Sequence, residues 1–296
     1  IMEQAGLPRA AHQVITGPGG LLGDFLVAHP DIQMVTFTGS TETGQRISKL
    51  AAETLKRVQL ELGGNDAQII CADADLERAA EAVVLGRLAR GNGQICCAVK
   101  RIFVEAPVYD QFAEILSEKA RRLKVGDQLE EDTDIGPLIH TSAAEEVEAA
   151  IREAEAVGAK VLAGGHRRGS FVEPTVIGSV PLGSNLLREE VFGPVAPIVP
   201  FHDIREAVEL ANSSRFGLQA AVFTNDISRA FDIAYRLEVG GVIVNWSTAV
   251  RVETLAFGGV KFSGHGREAI HDTLLEMTNQ KSILFFNALS PQVMEF

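Results

Sequence analysis

The sequence predicts an α/β fold of mostly parallel sheets with flanking helices. Short β-rich runs alternate with segments whose apolar residues recur at helical spacing along most of the 296 residues, which is the signature of parallel strands joined by helical crossovers. The composition, 46% hydrophobic and 22% charged, suits a large packed core and not a disordered chain. No internal repeat or low-complexity tract interrupts the alternation, so one or two domains are expected.

The residues from Ile1 read as helical. Met34–Thr38 (MVTFT) reads as a short buried strand. Gly39-Ser40-Thr41 then turns into a helix over Glu42–Glu53, with Ile47, Leu50 and Ala51 on one face. Arg57–Glu61 is the next strand, stopped by Gly63-Gly64, and Ala67–Ile70 is a third. Asp75–Arg90 predicts a helix. Asp73 or Asp75 can cap it, and Leu76, Ala79, Ala80, Val83, Val84 and Leu88 form its apolar stripe. The loop Gly91-Asn92-Gly93 leads to Cys96. Arg101–Glu105 is a strand and Tyr109–Arg122 a helix. The alternation continues with a helix over Ser142–Val157, a strand over Val195–Phe201 and a helix over Ile204–Ser213. A strand over Leu218–Phe223, a helix over Ser228–Leu237 and a strand over Gly241–Asn245 follow. Ser282–Phe286 (SILFF) reads as a late strand with no following element, so its expected partner is another chain.

The net charge of -12 argues against a nucleic-acid or membrane-surface binder, because both polyanions repel it. The three cysteines, Cys71, Cys96 and Cys97, are odd in number and two are adjacent, so no disulfide framework is expected and a reducing, cytoplasmic setting fits. No apolar run reaches bilayer-spanning length and no signal peptide is read. Three signatures fail. Gly17-Pro18-Gly19 begins like GxGxxG, but Leu22 takes the third Gly position. Gly39–Gly44 has phosphate-loop spacing, but Gln45 replaces the Lys. The seven His residues form no HExxH or His/Cys cluster, so no metal is expected.

On chemistry alone, four places invite a function and each has a plain alternative. Gly39-Ser40 precedes a helix N-terminus, whose free N–H groups suit a pyrophosphate, or is an ordinary strand–helix turn. Cys96 follows small residues that allow close approach of a ligand, or is a buried structural thiol. Glu61 ends a strand beside two glycines, facing a cleft or solvent. Glu190 precedes the turn Phe192-Gly193-Pro194, for function or for shape.

In order along the chain, Phe37-Thr38-Gly39-Ser40-Thr41, Leu60-Glu61-Leu62-Gly63-Gly64, Gly93-Gln94-Ile95-Cys96, Glu190-Val191-Phe192-Gly193-Pro194-Val195, and Phe257-Gly258-Gly259-Val260-Lys261 with Ser263-Gly264 resemble the aldehyde dehydrogenase superfamily. The resemblance covers nearly the whole chain. It implies an aldehyde dehydrogenase-like fold with a partial dinucleotide-binding domain (residues 1–62), a catalytic domain (63–265) and a C-terminal helix with an oligomerisation strand (266–296). It implies Cys96, not Cys97, as the nucleophile and Glu61 as the general base. Gly39 and Ser40 would meet the cofactor pyrophosphate, Glu190 the nicotinamide ribose, and Phe192 would lie beside the nicotinamide. Phe257 would line the substrate pocket. Arg251, six residues earlier in a loop the family places at the substrate entrance, would meet an anionic substrate end or remain a solvated surface residue.

The implied chemistry is oxidation of an aldehyde to an acid with NAD or NADP. Cys96 adds to the aldehyde, hydride leaves for the nicotinamide, and water activated by Glu61 cleaves the thioester. Transfer of the acyl group to CoA and an inactive binding protein are the alternatives. Ala256 departs from the family's common Pro. The resemblance starts partway through the cofactor domain, upstream of which the family keeps an oxyanion-hole Asn and the residues that choose NAD or NADP. The chain alone is therefore expected to be inactive, and the full protein a homodimer or homotetramer. Residues 245–251 and 98–101 look more like the branch acting on lactaldehyde, semialdehydes and glyceraldehyde 3-phosphate than the fatty-aldehyde branch.

Overall fold

The computed structural model describes residues 1–286. The first residues form turns and one 3-10 turn at Arg9–Ala11, not the helix expected from Ile1. Gly6, at φ 88°, and Pro8 after it are incompatible with continuous helical hydrogen bonding. Helix α1 (Gly19–Ala28) starts after Pro18. Strand β1 (Met34–Thr38) leads to α2 (Thr41–Ala52), where the Ser40 hydroxyl accepts the Thr43 N–H at 3.3 Å and caps the helix. Strands β2 (Arg57–Glu61) and β3 (Asp66–Ile70) precede α3 (Leu76–Val83), which Asp75 caps by accepting from the Arg78 N–H. Asp73 instead pairs with Arg229 and takes the Thr224 hydroxyl.

Strand β4 (Val99–Glu105) is followed by α4 (Tyr109–Arg122) and α5 (Thr141–Ala156). A hairpin region follows, with β5 (Lys160–Ala163), β6 (Arg167–Arg168), β7 (Phe171–Val172) and β8 (Thr175–Gly178), then the single turn α6 (Asn185–Arg188). Next come β9 (Val195–Phe201), α7 (Ile204–Asn212), β10 (Phe216–Gly217), β11 (Gln219–Phe223), α8 (Ile227–Arg236) and β12 (Gly241–Val244). The last elements are β13 (Val260–Lys261), β14 (Gly264–His265) and α9 (Ile270–Glu276). Ser282–Phe286 carries no strand: among the described residues the segment has no ladder partner, and Ile283 to Phe286 are exposed.

The main sheet has seven strands in the order β12-β11-β3-β4-β9-β8-β5, all neighbours parallel except β8 and β5. Both faces are covered, as a parallel sheet requires. Alternate residues go to opposite faces: Ile69, Phe103 and Val222 pack toward α5, α7 and α8, whereas Ile70, Ile102, Val104 and Phe223 pack toward α3 and α4. A second sheet, β1-β2-β14, pairs β1 and β2 in parallel, with β14 returning antiparallel along β2. Its own small core joins Val27, Ile47, Ala51, Leu60 and Leu62. The two sheets meet in sequence at Leu62–Asn65, the link between β2 and β3, and the candidate site lies there.

Candidate active site

Ligands of open parallel sheets gather where strands end at their carboxyl side. Glu61 is the last residue of β2, and Gly39 follows the neighbouring β1. The two are joined directly, since the Gly39 N–H donates to the Glu61 carbonyl at 3.0 Å. Gly39 has no room for a Cβ, which would fall 2.3 Å from the Phe37 ring. Ser40 caps the exposed start of α2. The family-implied cofactor contacts and the general base thus share one sheet end.

Glu61 is not the solvated strand end that exposure alone would favour: it is 3% exposed, and neither carboxylate oxygen meets a hydrogen-bond donor. Its position is fixed from both sides. Strand β14 pairs Gly264 opposite Glu61, and the Leu62 N–H donates to the Ser263 carbonyl. Gly258, at φ 154°, lies so close that a Cβ would sit 2.8 Å from Glu61 Oε1. Burial pushes the Glu61 carboxyl up to about 8, with the nearby Glu268 and Cys96 adding to the rise against Arg267 and Arg251.

The loop that carries Cys96 begins where α3 stops being an α-helix. The stripe from Leu76 to Leu88 continues, but Val84–Ala89 forms a π-turn, a feature that recurs at functional sites. It places Arg87 wholly inside the protein. The Arg87 guanidinium donates to the carbonyls of Val195 (2.6 Å), Val191 (3.0 Å) and Gly93 (3.3 Å), tying the cysteine loop to the segment that bears Glu190. Gly91, Asn92 and Gly93 all have positive φ, and a Cβ on Gly93 would strike the Gly193 carbonyl at 2.4 Å. Asn92 donates to the carbonyls of Gly136 and Pro137 and so anchors the loop's other side.

Cys96 is partly exposed, while Cys97 and Cys71 are buried. A hydrogen bond from the Cys97 thiol, with the Lys100 ammonium, brings the Cys96 thiol down to about 7 against the opposing effect of burial. The Cys97 thiol moves up for the complementary reason, and burial raises Cys71 to about 11. Among the three thiols, the physical case for ionisation near neutral pH belongs to Cys96.

Glu190 reaches over the glycine pair between the sheets. Its Oε1 accepts the Gly64 N–H at 3.1 Å, and a Cβ on Gly63 would fall 2.3 Å from Oε2. Phe192 projects its ring into solvent, 45% exposed, with the Lys100 ammonium 5.8 Å from its centre. Phe257 is half-buried, held by a two-way backbone pair with Glu268. Arg251 is exposed but not free. Its guanidinium pairs with Glu268 at 2.7 Å and lies over the Phe257 ring at 5.2 Å. The structure therefore groups Glu61, Cys96, Glu190 and Phe192 around the Gly63-Gly64 link. Arg251 and Phe257 join through Glu268, and Gly39 and Ser40 through the β1–β2 pairing.

Sequence reasoning missed Lys100, Glu268, Arg87 and Asp66. Arg87 carried a signal as the lone cation among residues 82–89, and Lys100 carried one with Arg101 as a pair of cations inside the apolar run 95–104. Asp66, wholly buried and raised well above the usual carboxyl range by desolvation, carried only its place next to the glycine link. Among the described residues no group of His, Cys, Asp and Glu could hold a metal ion, and no helix is long and apolar enough to cross a membrane.

The aldehyde dehydrogenase family model matches residues 1–283. A 3-sulfolactaldehyde dehydrogenase of Priestia aryabhattai is 43% identical over 284 residues, covering 96% of this chain and 59% of that protein. A lactaldehyde dehydrogenase of Methanococcus maripaludis is 42% identical over 287 residues, covering 97% and 61%. Among solved structures, NADP-dependent glyceraldehyde-3-phosphate dehydrogenase from Bacillus halodurans, complexed with NADP, superposes with a TM-score of 0.90 at 42% identity, covering 95% of this chain and 58% of that one. Betaine aldehyde dehydrogenase from Staphylococcus aureus in complex with NAD+ gives 0.87 at 37% identity, covering 93% and 55%. The chain thus spans about three-fifths of the length of these relatives.

Proposed function

The chain belongs to the aldehyde dehydrogenase family, and from that premise we propose that it carries the catalytic centre of an NAD(P)-dependent oxidation of an aldehyde to a carboxylic acid. The observation that carries the reading is the pairing of a thiol lowered to about 7 with a buried, unbonded carboxyl raised to about 8 at one sheet end. Environments that push two titratable groups toward neutrality suit a nucleophile and a base that work in turn.

In this reading the Cys96 thiolate attacks the aldehyde carbon, forming a C–S bond and a thiohemiacetal on the sulfur. Backbone N–H groups at the cysteine loop stabilise the oxyanion. NAD or NADP, when bound, supplies the hydride acceptor. The residues present fit such a group: the α2 N-terminus with Gly39 and Ser40 suits a pyrophosphate, Glu190 over the side-chain-free Gly63 suits a ribose, and Phe192 offers an exposed ring. The product on Cys96 is an acyl thioester. Glu61 then takes a proton from water, hydroxide attacks the acyl carbon, and the acid leaves with Cys96 again a thiolate. Arg251, with Phe257, would receive an anionic or hydroxylated end of a small aldehyde, in keeping with the names of the sulfolactaldehyde and lactaldehyde relatives. Three free cysteines suit a reducing, cytoplasmic setting, and assembly as a homodimer or homotetramer completes the proposal.

Alkylation tests the assignment. Iodoacetamide should label Cys96 ahead of Cys97 and Cys71, as mapped by peptide mass spectrometry. Cys96→Ser should abolish nearly all NAD(P)H formation in the complete protein, whereas Cys97→Ser should retain much of it. Labelling of Cys97 with Cys96 untouched and activity lost would reject Cys96 as the nucleophile.

A further inference from the structure

Lys100 lies in β4 between Val99 and the equally buried Arg101, with its side chain 1% exposed. A buried ammonium persists only where its donors are matched. Here they are matched three ways: by the Cys96 carbonyl at 2.5 Å, the Ile95 carbonyl at 2.9 Å and Glu190 Oε1 at 3.1 Å. An ammonium has three N–H donors, so the set is complete. The same Glu190 oxygen takes the Gly64 N–H, and Gly64 lies so near the cysteine loop that a Cβ there would be 2.4 Å from the Cys96 carbonyl. One cation therefore joins three separate parts of the chain: the cysteine loop, the β2–β3 link and the Glu190 segment.

We propose that Lys100 is a positioning residue, whose buried ammonium clamps the Cys96 peptide and the Glu190 carboxylate together and thereby sets both the reactivity of the thiol and the seating of Glu190. The proposal rests on the aldehyde-oxidising reading above for the meaning of Glu190, but its effect on the thiol stands apart from that reading. Neither Cys97 nor Arg87 can substitute for it. Cys97 offers no charge, and the Arg87 guanidinium spends its donors on the Val191, Val195 and Gly93 carbonyls. The charged and titratable groups facing Cys96 are Cys97 beside it, Glu61 from β2, Asp66 from β3, Lys100 from β4 and Glu190 from the segment before β9. Arg101 balances Asp66, and Glu268 and Arg267 stand behind Glu61. Of these, Lys100 alone combines a positive charge with direct bonds to the Cys96 peptide.

The test compares wild type with Lys100→Met, Lys100→Gln and Lys100→Arg. The rate of Cys96 carboxamidomethylation is followed against pH by peptide mass spectrometry, with melting temperature measured alongside. Loss of the charge should move the midpoint of the Cys96 profile up by about one pH unit, a slowing of up to about tenfold near pH 7. Lys100→Arg should restore most of the midpoint. In the complete enzyme, Lys100→Gln should also raise the KM for NAD(P) by a larger factor than it lowers kcat. A purely structural lysine would lower the melting temperature and leave the midpoint in place, and that result in either neutral variant overturns the proposal. If Lys100→Met does not fold, Lys100→Gln, which keeps N–H donors for the two carbonyls, gives the same reading. Should no aldehyde be oxidised by wild type while the midpoint shifts as stated, the clamp stands and the aldehyde-oxidising reading fails.

Discussion

Glu61 shows how the end of a strand sets a residue's environment: the carboxyl is buried and neither oxygen has a hydrogen-bond donor. On the protein surface a glutamate ionises near 4.5; burial, with Glu268 nearby, pushes the Glu61 carboxyl up to about 8. Two consequences follow with definite signs. If Glu61 is the base, as proposed, it is in its working form only above about pH 8, so thioester hydrolysis should rise with pH through that region. Glu61→Gln should remove that limb and leave a pre-steady-state burst of NAD(P)H followed by slow turnover. For stability, the folded state keeps a proton that the unfolded chain releases above 4.5. The neutral carboxyl's contribution is full below 4.5 and is lost as pH rises to about 8. The melting temperature of Glu61→Gln relative to wild type should therefore climb between about pH 4.5 and 8 and level off above. A gap that stays constant with pH, or hydride transfer that falls as far as turnover with no burst, would show that Glu61 is not this base.

At the scale of elements, regular periodicity was the legible part. Tyr109–Arg122, Val195–Phe201, Met34–Thr38 and Arg57–Glu61 fall where the apolar spacing places them. The alternating faces of β3, β4 and β11 follow from that spacing. The Cys96 and Glu61 pair was legible only through the family motifs, because neither a lone Cys nor a strand-end Glu announces its burial. Short paired pieces such as β8, β13 and β14 were not legible, because a strand of two to four residues is made by its partner and not by its own pattern. The π-turn was hidden for a related reason: Val84 and Leu88 keep a helical stripe while the hydrogen bonds shift around Arg87.

The loop between β12 and β13 poses the same difficulty for Arg251, whose pairing with Glu268 no spacing rule foretells. That pairing sharpens the substrate prediction. Arg251→Ala removes a cation from near Glu61, so even a neutral aldehyde should be turned over somewhat differently. The charged end of a substrate adds its own contact, roughly 1.5–3 kcal/mol for a hydrogen bond to a charged group. The ratio of kcat/KM for a carboxylated or phosphorylated aldehyde to that for a neutral one of similar size should fall by about ten- to a hundredfold. Equal losses on both would leave Arg251 as a partner of Glu268 alone.

Considered as a whole, the molecule leaves apolar surface outside the site. On α8, Ile227, Phe231 and Tyr235 stand four residues apart and are 67%, 72% and 94% exposed. The helix packs on β11 and leads into β12, an edge of the seven-stranded sheet whose outer hydrogen-bonding side has no neighbour among the described residues. Farther along the chain, Ile283, Leu284, Phe285 and Phe286 are exposed in a segment that makes no strand of its own. An apolar helix face beside an open sheet edge and an apolar segment without a ladder are complementary needs, and a second copy of the chain can satisfy both. The proposed homo-oligomer then has a concrete test. Sedimentation velocity of the complete protein should give a dimer or tetramer, and Phe285→Asp or Phe231→Asp should each shift it toward smaller species without loss of helical circular dichroism. Buried aspartates at an apolar interface cost enough to act at micromolar protein, where a loss of a few kcal/mol of association separates subunits. A wild-type protein that sediments as a monomer, or an oligomer indifferent to both substitutions, would mean that this surface does not join copies of the chain.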